Sequence, residues 1–184
     1  EYIINPAKID TKNKLSEDQK KFIAEFLPKI RYENDLIRID RRKVKKYLVD
    51  LKDGKTLSST EKENLNRILK SYDLNQIQWT AEGNNDRIVN RIDSLIDRVD
   101  IIPIKLVMAQ AIIESGWGTS RFAKEGNNYF GIHCFTKGCG MKPVGIAHSD
   151  FEVKVFSSVT DAIKSYLHIL NTGYAYKNLM LTKS

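Results

Sequence analysis

Apolar residues recur at helical spacing through the first hundred positions, and only later does a strand-like alternation appear. Phe22, Ile23, Phe26, Leu27 and Ile30 follow a Ser16–Gln19 pair that has the form of a capping box. Pro28 falls inside this run, where its missing N–H and bulky ring are expected to kink the helix or split it. The pattern resumes through Leu36, Ile37, Val44, Tyr47, Leu48 and Leu51 and stops at Gly54. A shorter helix is predicted after Ser58 or Ser59, carrying Leu65, Ile68, Leu69 and Tyr72. Another is predicted from about Asp86, with Ile88, Val89, Ile92, Leu95 and Ile96 on one side. These stripes read as ordinary core faces opposite solvated charged faces.

The pattern changes near residue 100. Pro103 suits the first turn of a helix, and Leu106, Val107, Ala109, Ile112 and Ile113 surround most of its circumference. That helix is expected to run through a core. "TSRFAKEG" (119–126) reads as a short helix capped by Thr119 and ended by Gly126, and "NNYFGIH" (127–133) opens with turn chemistry. "DFEVKVF" (150–156) alternates Phe151, Val153 and Val155 against Glu152 and Lys154, a strand with one buried face. Gly138, Gly140, Pro143 and Gly145 predict a loop or hairpin before it. Helical spacing returns after Ser158 through Ala162, Ile163, Tyr166, Leu167 and Leu170. The expected fold class is α+β and predominantly α, with one small sheet.

Composition follows the same division. Residues 1–100 hold 39 of the charged side chains and residues 101–184 only 14, together with eight of the ten glycines. At 184 residues the chain suffices for one domain with an appended helical piece. No apolar run approaches the about 18 residues of a spanning helix. A signal or anchor is expected to lie outside the chain, which opens "EYIINPAKID". A net charge of +7 suits an anionic partner such as nucleic acid, a lipid surface or an acidic wall polymer, and equally suits a solvated surface rich in Lys. The longest basic block, "RRKVKK" (41–46), sits inside an amphipathic helix.

Two stretches carry candidate chemistry. Glu114 ends the apolar helix and is followed at once by Ser115, Gly116, Trp117 and Gly118. A carboxylate there faces the negative end of the helix dipole, and burial beside Trp117 would add desolvation; both favour the protonated form that a general acid in glycoside hydrolysis requires. The same placement fits an acid emerging into water with Gly116 as a helix stop, and Trp117 fits a core anchor as well as a sugar platform. Cys134 and Cys139 in "HCFTKGCG" are the two cysteines. In an exported protein they would close a short disulfide loop, and in the cytosol they would stay reduced. A metal site would need His133 and His148 to be recruited as well.

"LVMAQAIIESGWGTSRFAKEGNNYFGIH" (106–133) resembles the glucosaminidase family, lysozyme-like hydrolases that include the peptidoglycan-cutting half of flagellar rod proteins. "FGIHCFTKGCG", "FEVKVFSSVTDAIKSYLHILNT" and "YAYKNL" further resemble its bacterial Bax-type branch, with the likeness covering about residues 100–180. The resemblance implies a lysozyme-like domain over 100–184, preceded by a helical region over 1–99 that packs on it or covers it. It implies cleavage of β-1,4-linked N-acetylglucosamine bonds in peptidoglycan or a related glycan, in the cell envelope, periplasm or outside the cell. No cofactor, metal, nucleic acid or membrane span is expected, and the oligomeric state is left open. Glu114 matches the catalytic acid of the "AQ…ES.WG" motif, and Tyr176 the family tyrosine across the cleft, although the family has Pro where this chain has Tyr174. Asn128, Tyr129, Phe130 and Gly131 match the groove-lining "NN.FGI" segment, in which Asn127 and Asn128 fit a turn equally well. Trp117 is expected to pack under the acid, and Ser120 to hydrogen-bond near it or cap a helix.

The second carboxylate departs from the pattern. Many members place a Glu on the first strand of the sheet, but residues 134–149 contain no Asp or Glu. Glu152 and then Asp150 are the nearest substitutes, sharing one strand face that looks onto the groove or onto solvent. Alternatively Glu114 acts without a second carboxylate, aided by the substrate's N-acetyl group or as a lytic transglycosylase. A non-catalytic glycan-binding module is the reading from another class.

Overall fold

The computed structural model describes residues 14–79, 85–143 and 150–173. Its elements are α1 (Glu17–Lys52), α2 (Ser59–Ser71), α3 (Asn85–Ile96), α4 (Ile104–Ser115), α5 (Arg121–Gly126), β1 (His133–Cys134), β2 (Gly140–Met141), β3 (Glu152–Lys154) and α6 (Val159–Thr172). The fold is α+β and predominantly α, with a small antiparallel sheet ordered β1-β3-β2. Among the described residues no helix is long and apolar enough to cross a membrane.

Helix starts follow local chemistry. Ser16 with Gln19, and Ser58 with Glu61, form complete capping boxes at α1 and α2, each satisfying donors at both ends of the first turn. Ser158 accepts from the Asp161 N–H to start α6.

Pro28 does not split the first helix: α1 runs 36 residues with Pro28 inside it. An interior proline costs about 3 kcal/mol. Buried Phe22, Phe26 and Ile30 flank it on one helical face, and each such side chain contributes about 1.5–3 kcal/mol on burial. Tertiary packing therefore outweighs the local break.

α1 contributes to two hydrophobic clusters. Its C-terminal half places Val44, Tyr47 and Leu51 against Leu65, Ile68 and Leu69 of α2 and Ile88, Ile92 and Leu95 of α3. Its N-terminal half places Phe22, Phe26 and Ile30 against Val107 and Ala111 of α4, Ala162, Ile163 and Leu167 of α6, and the loop residues Phe130 and Phe156. Ile37 packs against both clusters.

Polar side chains fasten the segment joining α3 to α4. Buried Asn34 donates to the Ile102 carbonyl at 2.9 Å and accepts from its N–H at 3.0 Å. Arg41 donates to the Ile96 and Val99 carbonyls, which lie at and beyond the end of α3. Asn171 of α6 donates to the Asp100 carbonyl at 2.8 Å.

Three expectations change. α4 lies against a core without being enclosed by it: Val107, Ala111 and Ser115 are buried, Ile104, Leu106, Met108 and Ile112 pack half-buried beside them, and Ala109 and Ile113 are exposed. α5 is capped by Ser120, which accepts from the Ala123 N–H at 3.1 Å, and Thr119 instead donates to the Gly116 carbonyl. The 150–156 segment does not bury Phe151, Val153 and Val155 as one face; Val153, Glu152 and Phe156 are buried and Val155 is exposed. β3 is the central strand and spans only three residues, so tertiary partners, rather than alternation along a long strand, decide which side chains turn inward.

Asn34→Ala should lower stability by about 2–3 kcal/mol, because it leaves the buried Ile102 N–H and carbonyl without their partner. Urea denaturation of the variant and the wild type measures the difference.

Candidate active site

Glu114 lies in the last turn of α4 and is exposed; the next residue, Ser115, is completely buried. The buried hydroxyl of Ser115 donates to the Ala111 carbonyl one turn back and accepts from the Gly118 N–H at 2.8 Å. Its own carbonyl accepts from the Ser120 N–H at 3.0 Å. Between those bonds Gly116, Trp117 and Gly118 all take left-handed backbone angles, with φ of 56°, 60° and 76°. That conformation is ordinary for glycine and costs a residue such as Trp117 about 1–2 kcal/mol.

Aromatic packing offsets the cost. The Trp117 ring meets Phe22 of α1 at 5.7 Å between centroids, inclined at 75°. Phe22 stacks on Phe26, whose ring meets Tyr129 edge-on at 4.8 Å. Gly118 lets these rings close in: a Cβ there would stand 3.3 Å from the Tyr129 ring and 3.4 Å from Phe22. Burial raises the Tyr129 phenol above its ordinary range, and the nearby Glu25 charge adds to the rise.

The 127–132 loop brings backbone to the acid. Asn127 ends α5 in the left-handed conformation and donates to the Phe156 carbonyl at 3.0 Å. Asn128 is buried; its amide donates to the Ile132 and Lys154 carbonyls at 2.8 Å each and accepts from the Phe130 and Ile132 N–H groups. Its hydrogen-bonding groups therefore hold the loop to β3, the turn role of the two considered. Phe130 is buried and stacked on Tyr166 at 4.3 Å. Gly131 then takes φ +63°, and a Cβ on it would stand 3.3 Å from Oε2 of Glu114. The loop's bare backbone thus lies beside the carboxylate.

Several expected site residues lie elsewhere. Glu114 is exposed and not buried beside Trp117. Ser120 caps α5. Glu152 faces neither groove nor solvent. It is buried, and its two oxygens accept from the Gly138 N–H at 3.1 Å and the Gly140 N–H at 2.8 Å. These bonds, with help from the Cys139 N–H and the charge of Lys142, hold its carboxyl below the ordinary range. Asp150 is exposed, and Tyr174, Tyr176 and His148 lie outside the described residues.

Cys134 and Cys139 are joined in a disulfide with Cα atoms 6.2 Å apart. Together with Glu152 they form a close cluster of metal-type donors among the described residues. Disulfide sulfurs are not thiolate ligands, however, and the carboxylate is occupied by main chain.

Sequence reading overlooked Ser115. Its signal was a serine in a last helical turn, where the hydroxyl reaches the carbonyl four residues back. The contribution of Phe22 had no local signal, since it comes from the far end of the chain.

Comparison with known proteins bears on this geometry. Residues 90–184, which contain α4, the left-handed turn, the loop, the sheet and α6, match the glucosaminidase family, described as mannosyl-glycoprotein endo-beta-N-acetylglucosaminidase. This chain belongs to the glucosaminidase family. A second likeness extends into the preceding helices: Protein bax of Escherichia coli (strain K12) is 31% identical over 166 residues, covering 90% of this chain. The chain spans 55% of that relative's length. No solved structure matches. Glu114 and the Gly131 loop fall within the glucosaminidase match, and so does the Glu152-held disulfide loop.

The lowered acidity of Glu152 gives a pH dependence of definite sign. A carboxyl depressed by folding contributes stability above its ordinary value of 4.5, and that contribution disappears as pH falls through the lower folded value. Glu152→Gln should therefore lower the thermal midpoint at pH 7 and reduce the loss of stability on acidification below 4.5. Thermal denaturation of both proteins across the acid range measures this.

Proposed function

We propose that this chain hydrolyses β-1,4-linked N-acetylglucosamine bonds in peptidoglycan or a related glycan, with Glu114 as general acid. The observation that carries the reading is the exposed Glu114 carboxylate beside Gly131, within the span matched by the glucosaminidase family. Glu114 donates its proton to the glycosidic oxygen as the bond breaks. The bare backbone at Gly131 leaves room for a sugar against the acid. Tyr129 packs on Phe26 and against the Trp117 turn, while Phe130 and Asn128 keep the loop in place. Tyr176 is assigned the positioning role that the family motif gives it.

Glu152 is a poor base for activating water, because both oxygens already accept main-chain N–H groups. Asp150, exposed and two residues earlier, takes that role in a two-carboxylate mechanism. The engagement of Glu152 also favours a second reading, cleavage with Glu114 as the sole carboxylate, as in a lytic transglycosylase or with assistance from the substrate's N-acetyl group. Both readings place the protein at the cell envelope, with the wall glycan as its partner.

Glu114→Gln should reduce release of soluble fragments from purified cell wall by at least about 100-fold, the usual contribution of a general acid, with its circular dichroism unchanged. Digestion at the wild-type rate would remove Glu114 from the mechanism. Wild-type protein that sediments with cell wall yet releases nothing would identify a binding module. Gly131→Ala tests the neighbouring backbone: strain at φ +63° should lower stability by about 1–2 kcal/mol. The added methyl should also slow cleavage, which rate measurements on the folded fraction read separately.

A further inference from the structure

The two most exposed large apolar side chains among the described residues stand on either side of Glu114 along the chain. Ile113 immediately precedes it and is 70% exposed; Phe135, four residues after Gly131, is 80% exposed. Phe135 makes no aromatic contact among the described residues, although its neighbours do. His133 stacks on Phe151 at 4.1 Å between centroids, inclined at 22°. β1 pairs His133 with Val153 and Cys134 with Glu152, a register that carries Phe135 to the Phe151 end of the sheet. Strand alternation puts His133 and Phe135, two apart, on one side.

The loop that carries Phe135 is held at several points. The disulfide joins Cys134 to Cys139, and the Cys139 N–H donates to the Thr136 carbonyl at 3.0 Å. Glu152 takes the Gly138 and Gly140 N–H groups. The ring therefore stands in water on a fixed support and adds little to the core. Gly131 lies beside the Glu114 carboxylate. Each further residue reaches at most about 3.6 Å, so the backbones of His133 and Phe135 lie within about 7 and 14 Å of Gly131. That is the length of a few linked sugar rings. An aromatic side chain offers about 150–250 Å², so this partly covered patch falls short of the about 800 Å² that a stable protein interface takes from each partner. A flat pyranose ring, apolar on its C–H face, suits it better than a second protein does.

We propose that Phe135 and His133 form a sugar-stacking platform, which holds N-acetylglucosamine rings of the glycan beyond the bond cut at Glu114. The inference rests on the glycan-cleaving reading and adds where the chain leading away from that bond lies. The C–H face of a sugar packs on the exposed Phe135 ring, and the fixed loop lowers the cost of ordering the complex.

The probe is the β-1,4-linked hexamer of N-acetylglucosamine, titrated by calorimetry into the full chain carrying Glu114→Gln, so that the oligomer stays intact. Phe135→Ala and Phe135→Leu in that background should each weaken binding by about two- to tenfold, since leucine keeps the apolarity but not the flat face. Phe135→Tyr should bind as the parent does. Val49→Ala, which removes an exposed apolar side chain from the far half of α1, should leave affinity unchanged. Unchanged affinity in Phe135→Ala, full affinity in Phe135→Leu, or no binding of the hexamer would each overturn the proposal. A wild-type chain that cuts cell wall while Phe135→Ala binds normally would remove the platform and leave the cleavage reading. Binding through Phe135 by a chain that cuts nothing would do the reverse.

Discussion

One helix has to satisfy two cores at once, and much of the molecule depends on it. α1 gives Phe22, Phe26 and Ile30 to the core beneath the candidate site and Val44, Tyr47 and Leu51 to the core of the preceding helices. Between them Asn34 and Arg41 hold the segment that leads into α4. The direction in which α4 enters, and so where Glu114 ends up, is tied to a helix far away in sequence. The same helix carries the aromatic rings on which the left-handed turn after Glu114 rests.

At the site itself, rigidity comes from main chain held by buried polar side chains. Ser115 closes the turn that follows the acid, Asn128 closes the loop that passes beside it, and Glu152 gathers the N–H groups of the disulfide loop. Each satisfies main-chain groups that no regular helix or strand pairs there, which is costly to leave undone in a buried place. An exposed carboxylate on so fixed a support keeps its position without being buried.

What could be read in advance follows the range of the forces involved. The capping box at Ser16, a helix start after Ser58 and the start of α6 were legible, because a cap is decided within four residues. Glu114 and its glycine-rich sequel were legible as well, as an acid ending an apolar helix. The split expected at Pro28 does not occur because the local penalty is outweighed by aromatic burial against α4 and α6, which no window around residue 28 contains. Glu152 misled for the same reason: alternation turned it outward, whereas its position is decided by N–H groups of a loop twelve to fourteen residues earlier. The exposure of Ile113 reflects that α4 has neighbours on one side and solvent on the other, which composition does not reveal.

Mass spectrometry of the fragments released from purified peptidoglycan in oxygen-18 water tests the central claim most directly. Hydrolysis directed by Glu114 should give new reducing N-acetylglucosamine ends, each carrying one labelled oxygen. Unlabelled anhydro ends, labelled ends on the other sugar, or no fragments from folded protein would contradict it.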